Sequence, residues 1–95
     1  AAAEELFRKA LDVRPTYGEA LLQICLLKFQ QQNYLSARAF LQRYLSSNPT
    51  SAGVLYLAAE IEGKLGNDRD RSEYVDQLLQ EFPESPEAAK LGGSG

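Results

Sequence analysis

Cys25 carries the only thiol among these 95 residues, and a thiol becomes a catalytic nucleophile only beside a base that ionises it. The sequence offers no such base. It contains no histidine, the commonest general base and metal ligand. Cys25 instead sits in the apolar run Leu21-Leu22-Gln23-Ile24-Cys25-Leu26-Leu27, where a small buried thiol at a helix–helix contact is the expected role. One cysteine also excludes an internal disulfide. No group of cysteines or carboxylates has metal-ligand spacing. The glycine-rich Gly92-Gly93-Ser94-Gly95 precedes no helix, so it is no phosphate cradle. Asp68-Arg69-Asp70-Arg71 reads as solvated helix-surface charge, worth little by itself, rather than a docking patch. These residues predict no catalytic activity, no metal and no cofactor.

The remaining chemistry is that of contact. A helix packed on one neighbour needs one apolar stripe, and the stretch 17–32 has two. Leu21, Ile24 and Cys25 form the first and face a partner helix. Leu22, Leu26 and Phe29 stand at i, i+4 and i+7 and form the second. Exposed apolar surface on a folded protein usually marks a contact site. The alternative is burial of that stripe by neighbouring helices.

The elements that position these residues recur. Pro15, Pro49 and Pro83 stand at one constant 34-residue interval. An interval of that size is the mark of a stacked supersecondary unit. Each proline is preceded by a helical end (Ala10-Leu11, Tyr44-Leu45, Leu78-Leu79). Each is followed by a side chain able to cap the next helix: Thr16, Ser51 and Ser85. Apolar periodicity predicts helices at 3–14, 17–32, 34–47, 52–65 and 69–82, with a short one at 86–91. Asn33 ends the second and Gly66-Asn67-Asp68 the fourth, glycine supplying a left-handed residue. No segment alternates with period two, so no strands are expected.

Composition agrees with a small folded domain: 44% of residues are hydrophobic and the net charge is −3. Mild acidity argues against nucleic acid, which calls for a basic stripe. No apolar run is long enough to span a membrane, and no membrane contact is expected of this segment. Neither a signal peptide nor a lipidated cysteine is recognisable. The ending Gly92-Gly93-Ser94-Gly95 reads as a linker, which suggests a trimmed fragment.

With these residues in view, the chain resembles the tetratricopeptide repeat, a 34-residue helix–turn–helix unit. The resemblance rests on Leu21, Ile24, Asn33-Tyr34, Ala37, Leu41 and Pro49, then on Leu55, Ala59, Gly66-Asn67, Leu79 and Pro83. It implies an all-α solenoid of antiparallel helix pairs in one domain, 1–91. Residues 1–15 form a half-repeat helix, 16–49 and 50–83 full repeats, and 84–91 a partial capping helix. Three positions depart from the family pattern: Cys25 replaces a glycine, and Tyr44 and Arg71 replace alanines. Arg71 is expected to hold its helix pair slightly apart.

A narrower resemblance covers Gln42-Arg43-Tyr44-Leu45, the stretch from Leu55 to Glu62, Lys64 to Arg69, and Glu81 to Ala88. These segments are similar to the C-terminal repeats of type IV pilus biogenesis pilotins, PilF or PilW. The likeness implies a non-enzymatic scaffold whose partner is a secretin subunit. It also implies a periplasmic setting with a lipid anchor on the outer membrane, an anchor this segment lacks.

In this family the second stripe of each first helix lines a concave groove for peptides. The likeness therefore implies a protein-binding groove floored by Leu22, Leu26, Phe29 and Tyr56 and rimmed by Glu19, Glu60 and Lys64. The same register makes the first helix the second member of a pair. Ala3, Phe7 and Ala10 would then form an orphaned apolar face, expected to drive self-association into a homo-oligomer. An engineered self-assembling module with this face is the alternative function.

Overall fold

A computed structural model describes residues 2–13 and 18–91. These form six helices: α1 (Ala2–Val13), α2 (Gly18–Gln30), α3 (Tyr34–Ser47), α4 (Ala52–Leu65), α5 (Asp68–Glu81) and α6 (Pro86–Leu91). Among the described residues there are no strands. The expected helices at 34–47, 52–65 and 86–91 match residue for residue, α5 starts and ends one residue earlier than expected, and α1 starts one residue earlier, its expected last residue Arg14 lying outside the described residues. Pro15 and Thr16 lie outside the described residues.

Helix α2 stops two residues before its expected end, and the cause is a backbone geometry used twice. Gln32 has φ of 61° and Gly66 has φ of 79°; the two are one 34-residue interval apart. At each the chain turns left-handed and closes a Schellman-type cap. Gln32 N–H donates to Phe29 O (3.0 Å) and Asn33 N–H to Lys28 O (2.8 Å). Likewise Gly66 N–H donates to Gly63 O (3.2 Å) and Asn67 N–H to Glu62 O (2.9 Å). The following helix then starts at once. Asn33 Oδ1 accepts from Ser36 N–H at 3.4 Å and so caps α3. Asn67 holds the same place before α5, but its side-chain amide donates to the buried Glu62 carboxylate at 2.8 Å instead.

The expected caps Ser51 and Ser85 are present. Val54 N–H donates to Ser51 Oγ at 3.3 Å and Ala88 N–H to Ser85 Oγ at 3.0 Å. Ser85 Oγ also donates to Phe82 O at 2.8 Å, tying α6 to the end of α5.

The chain forms two compact units, residues 1–49 and 50–95. In the first, α2 and α3 pair antiparallel, and contacts at both ends show it. At one end the Phe29 and Tyr34 rings meet edge to face at 5.4 Å. At the other, a Cβ on Gly18 would fall 2.6 Å from Asn48 Oδ1, so any side chain there would displace the Asn48 amide. Asn48 Nδ2 meanwhile donates to Tyr44 O at 3.0 Å and closes the last turn of α3. The core joins Leu11 of α1 to Ala20, Leu21 and Ile24 of α2, with Phe40 and Tyr44 of α3 packed against them.

In the second unit, Leu55, Leu78 and Ala88 bring α4, α5 and α6 together, with Tyr74, Leu79, Phe82 and Leu91 around them. Burial of each such aliphatic side chain stabilises by about 1.5–3 kcal/mol. Arg71 lies across Gly63, where a Cβ would meet its Cδ at 3.2 Å. In the first unit the same two register positions hold Phe29 and Ala37. Large and small have changed sides, so the arginine stem lies where a side chain is missing.

Candidate functional site

The two stripes of α2 separate as their spacing requires. Leu21, Ile24 and Cys25 are fully buried. Desolvation pushes the Cys25 thiol up to about 12, which leaves it un-ionised at neutral pH and inert as a nucleophile. The second stripe faces outward. Leu22 and Phe29 are half-buried, and Leu26 keeps 36% of its surface exposed. Glu19 is exposed one turn before them. Phe29 is steadied by Tyr34, so this face is a shaped apolar surface with one charged residue at its start.

Tyr56, Glu60 and Lys64 belong to α4 of the second unit and repeat these positions. Tyr56 follows Leu22, and Glu60 follows Leu26, by the same interval that separates the prolines. Tyr56 is half-buried, Glu60 and Lys64 exposed. Tyr56 also packs against the core of its unit, and Lys90 Nζ lies 5.5 Å from its ring centroid. Part of the Tyr56 face is therefore taken by α6. Lys90 follows Tyr56 by one more such interval, and that spacing was the signal that could have placed it beside the ring. Leu35, 67% exposed at the start of α3, carries no periodic signal, because it falls outside the apolar row of its helix.

The face expected on α1 also needs correction. Phe7 and Ala10 are not orphaned: they pack against Leu11, Ala20, Leu21 and Ile24. A second helix of a pair contacts the helix that follows it as well as the one before it, so α2 covers half of the face. What remains outside is Ala3, which is exposed, and Leu6, which is 65% exposed. Glu4 fastens α1 to α2. It accepts from Arg8 Nε at 3.0 Å and from Lys28 Nζ at 3.2 Å, the latter pair partly buried. Arg8, then Lys28, hold its carboxyl below its ordinary value.

No group of three or more potential ligands gathers for a metal among the described residues. No described helix is long and apolar enough to cross a membrane.

Comparison with known proteins agrees with this geometry. The family model described as tetratricopeptide repeat matches residues 1–61. No curated protein matches. Among solved structures, the crystal structure of PilW, a widely conserved type IV pilus biogenesis factor, superposes with a TM-score of 0.87 at 26% identity. That match covers 93% of this chain and 40% of PilW. The structure of Pseudomonas aeruginosa PilF gives a TM-score of 0.84 at 20% identity, over 97% of this chain and 41% of PilF. The chain thus spans about two fifths of the length of each.

Proposed function

Since the chain belongs to the tetratricopeptide repeat family, we propose that it works as a non-enzymatic protein-binding scaffold whose contact surface is the outer stripe of α2. The observation that carries this reading is the division of one helix into two apolar faces. Leu21, Ile24 and Cys25 satisfy the core completely, yet Leu22, Leu26 and Phe29 are apolar too. The fold covers the first face fully and the second only in part, leaving Leu26 exposed. An apolar segment of a partner polypeptide is its natural occupant. Tyr56, Glu60 and Lys64 belong to α4 of the second unit.

The likeness to PilW and PilF supports a role in type IV pilus biogenesis. The partner proposed is a secretin subunit, with this chain assisting its assembly in the periplasm. The test is titration of a purified type IV pilus secretin subunit into the chain and into its Leu26→Glu variant, followed calorimetrically. The variant should keep its helical circular dichroism, because Leu26 is already at the surface, and should bind at least about tenfold more weakly. Equal affinity in the two proteins would remove α2 from the contact. No binding by either would remove the secretin.

A further inference from the structure

We infer that the face where α4 meets α6 is a docking site for an arginine side chain of a partner polypeptide, and that Lys90 is its built-in competitor. Gly53, Tyr56 and Glu60 share one row of α4, because they stand at i, i+3 and i+7. Helix α6 runs beside the first two. Glu87 reaches Gly53, where a Cβ would stand 3.8 Å from its Oε2. Lys90 Nζ lies 5.5 Å from the Tyr56 ring centroid. Along the row, the ring thus has a carboxylate to either side: Glu87, half-buried, and Glu60, exposed. An aromatic face attracts a cation, and carboxylates on both sides add to that pull. Tyr56 also packs on the core of Leu55, Leu78 and Ala88, so little of its ring is left and one cation fills it.

Lys90 shows which chemistry the ring takes, and the fold does not depend on it. Helix α6 is held by buried Ala88, by Leu91 and by the Ser85 cap, while Lys90 itself is exposed. Its ammonium can therefore leave the ring without releasing the helix. An arginine is the fitting replacement. Its planar guanidinium stacks on an aromatic face and keeps N–H groups for a neighbouring carboxylate, whereas an ammonium is a compact, strongly hydrated charge. The unit as a whole favours such a partner. Residues 50–95 carry nine Asp and Glu against four Lys and Arg, a net charge of −5 that draws basic segments toward it. Lys64, exposed one turn beyond Glu60, limits the site to a single cation. This site takes charge where the outer stripe of α2 takes apolar side chains, so it rests neither on that stripe nor on a secretin.

The test is titration of a capped tri-arginine peptide into the isotope-labelled chain, followed by NMR. In the free chain the Lys90 side-chain methylenes should carry a ring-current shift from Tyr56. That shift should be lost as the peptide binds, with Glu60 and Glu87 responding at the same concentrations. A capped triglutamate peptide should leave all three unchanged. Lys90→Gln should bind tri-arginine about two- to fivefold more tightly, the factor that an exposed cation–π contact supplies. Lys64→Gln removes the same charge away from the ring and should change affinity less. Tyr56→Leu should lose the response with its helical dichroism unchanged, and Tyr56→Phe, which keeps a ring, should retain it. An unmoved Lys90 overturns the inference, as do shifts confined to the exposed carboxylates of α5. So does a Lys90→Gln variant that binds no better than Lys64→Gln, or a Tyr56→Leu variant that binds like wild type.

Discussion

Gln32 and Gly66 occupy the same left-handed position one repeat apart, yet only one of them is suited to it. A non-glycine residue there costs about 1–2 kcal/mol through contact of its Cβ with the following carbonyl. Gly66→Ala should therefore destabilise by about that amount, although nothing lies within 4 Å of the added Cβ; the cost is all backbone. Gln32→Gly should move the other way, with a gain of up to about 1 kcal/mol. Urea denaturation of both variants measures this, and shifts of the same sign would contradict it. Gly66 was legible in the sequence because glycine before Asn-Asp marks a helix stop. Gln32 was not, because glutamine has no turn preference, and only Asn33 beside it showed that the helix must end. The exchange of Phe29 and Ala37 for Gly63 and Arg71 was equally hidden. Each substitution looks like a defect until its partner position is known.

At the scale of the element, α1 is held by one apolar row and by a long-range ion pair between Glu4 and Lys28. Periodicity identified Phe7 and Ala10 as an apolar row but could not say which neighbour receives it. Spacing alone could suggest Glu4–Arg8, never Glu4–Lys28. The pair has a pH signature. Because the folded carboxyl is held below its ordinary value, its contribution is present at neutral pH and above the unfolded value. It is lost as pH falls through the lowered folded value. Hydrogen exchange of α1 amides should show less protection near pH 3 than near pH 6, once intrinsic exchange rates are corrected. In Glu4→Gln that difference should shrink. An unchanged difference in the variant would mean that other carboxylates govern the acid response.

At the scale of the whole molecule, each unit holds its own core, and stability in a repeat protein is a sum of local terms and neighbour contacts. Leu78 is fully buried at the junction of α4, α5 and α6. Leu78→Ala should cost about 2–5 kcal/mol, a large part of the stability of a domain this size. The loss should be read unevenly. Amides of α4 and α5 should exchange much faster, while those of α2 and α3 retain more protection. Uniform loss of protection along the chain would show that the two units unfold as one.

The sequence by itself determined the architecture. A 34-residue interval, three matched helix ends and apolar rows of period 3.6 are local properties, since turn chemistry and helix amphipathicity act over short stretches of chain. They also separated the inner stripe of α2 from the outer one. The tertiary structure decided what distance in sequence conceals. It turned Phe7 and Ala10 inward and left Leu6 bare. It laid Lys90 on Tyr56, fitted Arg71 over Gly63, and brought Lys28 to Glu4. Each of these depends on which helix faces which. The physical reason is that a stripe records how much of a helix must be covered, whereas the covering is supplied by whatever packs against it.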